Sequence, residues 1–250
     1  LDNGLRYIVR QHGNPPNRAA IWLHVASGSL NETDRQRGIA HFLEHMAFNG
    51  SANFPPGSVI PFFQSLGLTF GQHQNAFTSF DQTTFQLALP DTKAETLQQG
   101  MLFLSDVAMR LNLAPKEIES ERQVILEERR TRLGGRQRVG DYWFEHLAPG
   151  STFGQRIPIG TEETILAVQQ ADFKDYYSAW YIPSNMTVMV VADMEPEAAV
   201  AAIRKNFSGG EKKQPPANRD AGIKPYEATR AIVASDAELT DAQVSIVWIG

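Results

Sequence analysis

Cysteine is absent from the 250 residues, so neither disulfides nor thiolate ligands contribute, and a metal would have to rest on His, Asp or Glu. No apolar run approaches the ~20 residues needed to span a bilayer. No secretory leader stands at the start, and Leu1 opens almost directly into a strand pattern, as expected of a chain beginning past an upstream segment. Basic charge is not in excess either. The 23 Lys and Arg against 28 Asp and Glu leave a formal net charge of −5, which argues against nucleic acid or an anionic membrane as the main partner. Low-complexity segments and short repeats are missing too. What remains, 42% hydrophobic and 20% charged, is ordinary for a globular protein large enough to bury a proper core.

Two strand patterns open the chain, residues 5–10 (LRYIVR) and 19–27 (AAIWLHVAS). The turn-forming stretch 12–17 (HGNPPN) joins them, and an antiparallel pair is expected. A loop over 28–37 leads into a helix that begins near Gly38 and stops at Asn49-Gly50. A short helix is predicted over 58–66, with Ser58 as cap and Pro61 in its first turn. Residues 75–79 and 83–89 read as strands rich in Thr and Phe. A core helix follows over 92–111, where Leu97, Met101, Leu104, Val107 and Ala108 recur at helical spacing. Ala114-Pro115 starts another that reaches about residue 133, and a third runs over 136–147. Asp172 is expected to cap a helix ending near Trp180, with a buried strand over 186–192 and a helix over 195–207. The stretch 208–222, with Gly209-Gly210 and Pro215-Pro216, reads as a linker. Beyond it, 228–235 and 243–249 look like strands with no helices to pack against. The expected organisation is a domain over 1–207, the linker, and the first strands of a second domain over 223–250. The fold class implied is α+β, an antiparallel sheet covered by helices.

The chemistry sits in His41-Phe42-Leu43-Glu44-His45. Ile39, Phe42, Leu43 and Met46 recur at helical spacing, which leaves both imidazoles and Glu44 near one face. At i and i+4 the two rings stand one turn apart, within reach of a single metal ion. Neutral imidazole is a good zinc ligand, and a carboxylate beside such a site serves as a general base toward water. The order H-x-x-E-H inverts H-E-x-x-H and points to the inverted zinc-protease class. Two structural histidines sharing a helix also fit the bare motif.

A catalytic zinc takes three protein ligands. The helix over 115–133 offers Glu117, Glu119, Glu121, Glu127 and Glu128. Glu121 and Glu128 share a face, with Val124 and Ile125 between them, whereas Glu127 points elsewhere. Arg122, Arg129 and Arg130 stand at ion-pair spacing, so a solvated acidic face also accounts for this run. Spacing alone leaves the choice among these glutamates open.

The 41–45 motif followed by Met46-Ala47-Phe48, then Asn75-Ala76-Phe77-Thr78, then Glu121 through Glu128 (ERQVILEE) resembles the pitrilysin or insulinase family of zinc metallopeptidases, M16, over most of residues 1–207. The resemblance implies one zinc per chain held by His41, His45 and Glu128, with Glu44 as general base and Glu121 orienting a ligating imidazole. It implies that Asn75, Ala76, Phe77 and Thr78 form a strand along which an extended substrate adds. The implied activity is that of a metalloendopeptidase acting on peptides or unfolded proteins. Such enzymes need a second homologous half, nearly all of which this chain lacks, so the 250 residues alone are expected to bind zinc but cleave weakly. The interval from His45 to Glu128 exceeds the family's common spacing through extra residues near 68–74, which keeps Glu127 as the substitute third ligand. A non-catalytic scaffold or partner subunit is the competing reading, and the complete H-x-x-E-H set stands against it. Bacterial members with the same 75–81 pattern point to the periplasm.

Other candidates read as structure. His24 lies in an apolar strand as a satisfied buried histidine, His12 and His146 have no partner pattern, and His73 sits just ahead of the 75–79 strand. Trp143, Phe144 and Trp180 read as core. The arginines from Arg129 to Arg138 form a basic run suited to an acidic substrate or simply to solvent.

Overall fold

The computed structural model describes residues 1–69 and 71–249. Phe70, in the expected insertion near 68–74, and Gly250, at the end of the expected 223–250 segment, lie outside the described residues. In chain order the elements are β1 (Arg6–Gln11), β2 (Ala19–Val25), α1 (Ile39–Met46), α2 (Val59–Ser65), β3 (Gln74–Thr78) and β4 (Thr83–Leu89). There follow α3 (Ala94–Met109), α4 (Pro115–Thr131), α5 (Gly135–Leu147), α6 (Glu162–Ala167), α7 (Gln170–Trp180), β5 (Met186–Ala192) and α8 (Pro196–Phe207).

The five strands form one mixed sheet in the order β1-β5-β2-β4-β3. β5 runs antiparallel to β2 and parallel to β1, so the first two strands are not the antiparallel pair expected of them. The reason lies in their connection. Residues 12–18, with Pro15-Pro16, are too long for a tight hairpin and step across an intervening strand. The rest of the sheet is antiparallel, β2 on β4 and β4 on β3, which leaves β3 with one free edge.

Alternation decides which face is covered. Ile21, Leu23 and Val25 of β2, Phe85, Leu87 and Leu89 of β4, and Val188 and Val190 of β5 are buried on one side. Helices α1, α3 and α8 lie against it. An added Cβ at Gly100 of α3 would stand 3.2–3.5 Å from Leu89, Ile21 and Leu87, so the missing side chain lets that helix sit directly on the sheet. The opposite face is open: Ile8, Trp22 and Val191 are 58%, 41% and 40% exposed.

Two caps differ from expectation. Ser58 Oγ donates to Pro55 O at 2.6 Å rather than capping α2. Asp172 is the third residue of α7, where its Oδ2 accepts the Gln169 N–H at 2.8 Å, the reciprocal half of a capping box. No strand is assigned over 228–235 or 243–249, because a strand needs a ladder partner and these stretches have none among the described residues. Val244, Ile246 and Trp248 are accordingly exposed. The segment touches the domain at α5, where Glu238 accepts the Gly135 N–H at 2.7 Å and Asp236 pairs with Arg138 at 2.8 Å. Among the described residues no helix is long and apolar enough to cross a membrane.

Candidate functional site

Helix α1 is held at both its start and its inner face. Gly38 precedes it with φ +92°, a conformation strained for any side chain, and an added Cβ would come within 2.9 Å of Ile159 O. The helix has no adjacent capping side chain. Instead the fully buried Glu32 accepts the N–H groups of Gly38 and Ala40, both at 2.9 Å. Burial pushes the Glu32 carboxyl up to about 8 against the pull of these donors and of Arg156 and Arg37. On the inner face Ile39, Phe42, Leu43 and Met46 are buried, and Phe42 meets Phe173 edge-on at 4.8 Å between centroids.

The outer face of α1 carries His41, Glu44 and His45, and α4 packs across it. On α4, Ile118, Arg122 and Ile125 point into the core, where Arg122 donates to Val168 O at 2.8 Å. That orientation turns Glu121 and Glu128 toward α1. Glu128 Oε1 lies 3.6 Å from His41 Nε2 and its Oε2 lies 3.4 Å from His45 Nε2. Glu121 Oε1 lies 2.8 Å from His45 Nδ1, and Asn49 donates to Glu121 Oε2 at 2.6 Å. The Glu121 carboxylate at Nδ1 fixes the ring with Nε2 toward Glu128, the nitrogen that offers a lone pair once it gives up its proton. His41 Nδ1 is enclosed without a partner.

These donors suit a metal ion. Ligand atoms of His41, His45 and Glu128 all lie within 4.8 Å of one another. Tetrahedral zinc with arms of about 2.1 Å has ligand-to-ligand edges of about 3.4 Å. The two Nε2 to carboxylate separations match that edge and are long for hydrogen bonds. Arg132 closes the outer side of Glu128. Burial and the neighbouring His45 pull His41 down to about 4, so it stands unprotonated. Burial also acts downward on His45, but the bond to Glu121 and the facing Glu128 carboxylate outweigh it and raise it to about 9. Glu121 and Glu128 are driven the other way, because their imidazole and other donors overcome burial and hold both below the usual range.

Glu44 stands apart from the ligand cluster. It is 8% exposed, and its Oε2 accepts the Thr78 hydroxyl at 2.5 Å from β3. Burial raises its carboxyl above the usual range, and the Thr78 bond holds back part of the rise. His41 and Glu44 form the floor of a cleft of about 650 Å³. One wall is the β3 edge from Ala76 to Phe80, another is Arg129, Arg132 and Leu133 with Gln137, Asp141 and Phe144, and a third is the 154–161 loop.

The remaining expectations sort by position. Ala76, Phe77 and Thr78 line the cleft. Asn75 does not, and its Oδ1 accepts the Ala76 N–H at 2.9 Å. Glu127 lies outside the cluster, 55% exposed and paired with Arg130 at 2.8 Å. His24 is half-buried on the open sheet face, 3.2 Å from Thr84 Oγ1. His73 accepts the Thr69 N–H at 3.0 Å and does not reach the cleft. Of the three aromatics expected in the core only Trp180 is there. Phe144 lines the cleft against Phe80 at 5.3 Å, and Trp143 is half-exposed beside it. Sequence reasoning missed Glu32, which lies at no helical spacing from α1, and Asn49, whose reading as a helix stop concealed its bond to Glu121.

The family Insulinase (Peptidase family M16) matches residues 7–133, and Peptidase M16 inactive domain matches residues 167–250. The chain is 39% identical to "Probable zinc protease PqqL" of Escherichia coli over 208 residues, 83% of this chain and 22% of that protein. It is 33% identical to "Zinc protease PQQL-like" of Arabidopsis thaliana over 250 residues, 99% of this chain and 26% of that protein. The chain thus spans 22–26% of the length of these relatives. Its fold is similar to the crystal structure of the first half of the periplasmic protease PqqL from E. coli, with a TM-score of 0.86 and 38% identity over 90% of this chain and 48% of that one. It is also similar to that of pitrilysin, with a TM-score of 0.72 and 25% identity over 86% of this chain and 23% of that one.

Proposed function

Since the chain belongs to the insulinase family, peptidase family M16, we propose that it forms the catalytic part of a zinc-dependent endopeptidase hydrolysing peptides or unfolded proteins. The observation that carries this reading is the convergence of His41 Nε2, His45 Nε2 and the Glu128 carboxylate beside a buried Glu44 and a free strand edge.

His41, His45 and Glu128 would hold one zinc, with Glu121 keeping the His45 ring in its ligating orientation. A zinc bound there would supply Lewis-acid polarisation of the scissile carbonyl and of a water. Glu44 supplies the proton transfers. Its Oε2 is occupied by Thr78, which leaves Oε1 to take the proton of the attacking water and hand it to the leaving amine nitrogen. A carboxyl raised by burial is suited to both halves of that transfer near neutral pH. The β3 edge, residues 75–78, binds the peptide extended through main-chain hydrogen bonds. The Asn75 side chain now covers the Ala76 N–H and yields it to the incoming strand.

Residues 1–207 constitute the catalytic domain, 208–222 the link, and 223–250 the first strands of a homologous second half, where Val244, Ile246 and Trp248 find ladder partners. That half contributes to substrate binding, so the 250 residues alone cleave weakly. The similar E. coli protease is named periplasmic, which supports an extracytoplasmic location. A non-catalytic partner subunit is disfavoured by the completeness of the cluster.

The test is zinc content of the purified chain against Glu128→Gln, followed by peptide hydrolysis at full length. About one tightly held zinc that the substitution removes supports the site. A zinc-free chain under metal-replete conditions, or hydrolysis unaffected by Glu44→Gln, overturns the reading.

A further inference from the structure

The cleft lining carries three guanidinium groups, Arg37, Arg129 and Arg132, and two carboxyls, Glu44 and Asp141. Most are engaged. Arg132 pairs with Glu128, Arg37 reaches Asp34 at 3.2 Å and Gln155 at 3.3 Å, Asp141 accepts from Gln137 at 2.6 Å, and Glu44 is bonded to Thr78. Arg129 is left over. Among the described residues nothing receives its guanidinium, and its Nε is enclosed with no acceptor. Its neighbour Arg130 instead forks onto Glu127 at 2.8 and 2.9 Å on the solvent side. The farther arginines of the same basic run are occupied as well, Arg136 by Asp241 and Arg138 by Asp236 and Glu238.

Enclosed polar donors in proteins are nearly always bonded, to protein or to water, so one on a cleft wall with no protein acceptor is free to take its acceptor from a bound ligand. Arg37 Nε, also in the lining, is enclosed and unbonded too. A guanidinium is a planar fork of donors whose best match is a carboxylate.

We propose that Arg129 is a specificity residue that receives a carboxylate of the bound peptide, so that the protein selects chains bearing Asp or Glu close to the scissile bond. This deepens the peptidase reading and rests on it. Arg129 stands on α4 one residue beyond Glu128 and lines the same cleft as the β3 edge. A peptide laid along that edge turns alternate side chains to opposite faces. The one directed at α4 meets a cation that pairs with no acid among the described residues. A Lys or Arg there is repelled, and a neutral side chain leaves Nε without its acceptor.

The test uses end-blocked peptides in which a single Glu steps along an otherwise neutral sequence, each with twins carrying Gln or Lys. Binding is measured to the zinc-loaded protein at full length, with Glu44→Gln present to stop turnover. In one register the Glu peptide should bind about tenfold tighter than its Gln twin, the scale of one charge-assisted hydrogen bond. Arg129→Gln should erase that difference, and Arg129→Glu should move the preference to the Lys twin. Arg129 is not among the candidate ligands, and zinc content reports that both variants fold. Equal binding of Glu and Gln twins in every register, or a preference that survives Arg129→Gln, overturns the assignment and leaves the peptidase reading standing. A preference seen only with unblocked peptides overturns the side-chain source in favour of a terminal carboxylate. Failure of every peptide to bind overturns both readings.

Discussion

His45 Nδ1 lies 2.8 Å from Glu121 Oε1, which leaves the opposite ring nitrogen facing Glu128. One imidazole is thereby fixed between two carboxylates that stand two turns apart on α4, and the two carboxylates do different work. Glu121→Gln should keep the metal but weaken it, by roughly 10–100-fold for loss of an orienting partner. Glu128→Gln should remove it altogether. Competition with a calibrated chelator measures both, and equal losses in the two variants would show that Glu121 is itself a ligand.

Glu44→Gln should bind metal as the unmodified protein does and lose at least roughly 100-fold in turnover. Thr78→Val probes the same carboxyl from the other side. The Thr78 hydroxyl lowers a Glu44 carboxyl that burial has raised, so its removal should move the acid limb of the pH–rate profile upward. An acid limb that stays in place would mean that a different group sets it.

Glu32 makes stability itself depend on pH. Its carboxyl is raised from 4.5 to about 8 in the folded chain, so between those values the folded state keeps a proton that the unfolded state has released. Its contribution is full below the lower value and is lost as pH rises toward the upper one, by at most roughly 1.4 kcal/mol per pH unit. Urea midpoints of the protein should fall over that window relative to Glu32→Gln, which titrates nothing there. Parallel curves for the two proteins would mean that the amide donors of Gly38 and Ala40 keep the carboxylate ionised.

Asp106 ties the segment after α1 to α3. Its fully buried carboxylate accepts from Ser51 Oγ at 2.6 Å, Asn53 N at 2.7 Å, Asn53 Nδ2 at 2.9 Å and Arg110 Nε at 2.6 Å. Asp106→Ala strands several enclosed donors and should cost at least roughly 3 kcal/mol. Denaturant unfolding gives the value, and a loss under 1 kcal/mol would mean that water replaces the carboxylate.

What could be read in advance follows the range of the interactions. The histidines, Glu44 and the apolar residues of α1 repeat within a single helix, and Glu121 and Glu128 share a face by their spacing, so both halves of the cluster were visible in the sequence. That these two helices meet depends on residues some 80 positions apart, which no local pattern states. The alternation in β1 and β2 marked them as strands but not their neighbours, because β5 enters between them from the far end of the domain. Residues 228–235 and 243–249 have strand composition without a ladder, which is a pairing question rather than one of propensity. Glu32 caps α1 across a loop and Arg129 stands bare in the cleft, and both facts depend on which neighbours the fold supplies.

The place of β5 also governs the order in which the molecule can assemble. β2, β4 and β3 close on one another within a short span of chain, whereas β1 waits about 180 residues for β5, its neighbour in the sheet. During synthesis the first strand must therefore remain unpaired while α1 and α4 emerge. Both it and the open side of β2 acquire a partner only when residues 186–192 arrive. Such distant closure slows folding and prolongs the exposure of two strand edges.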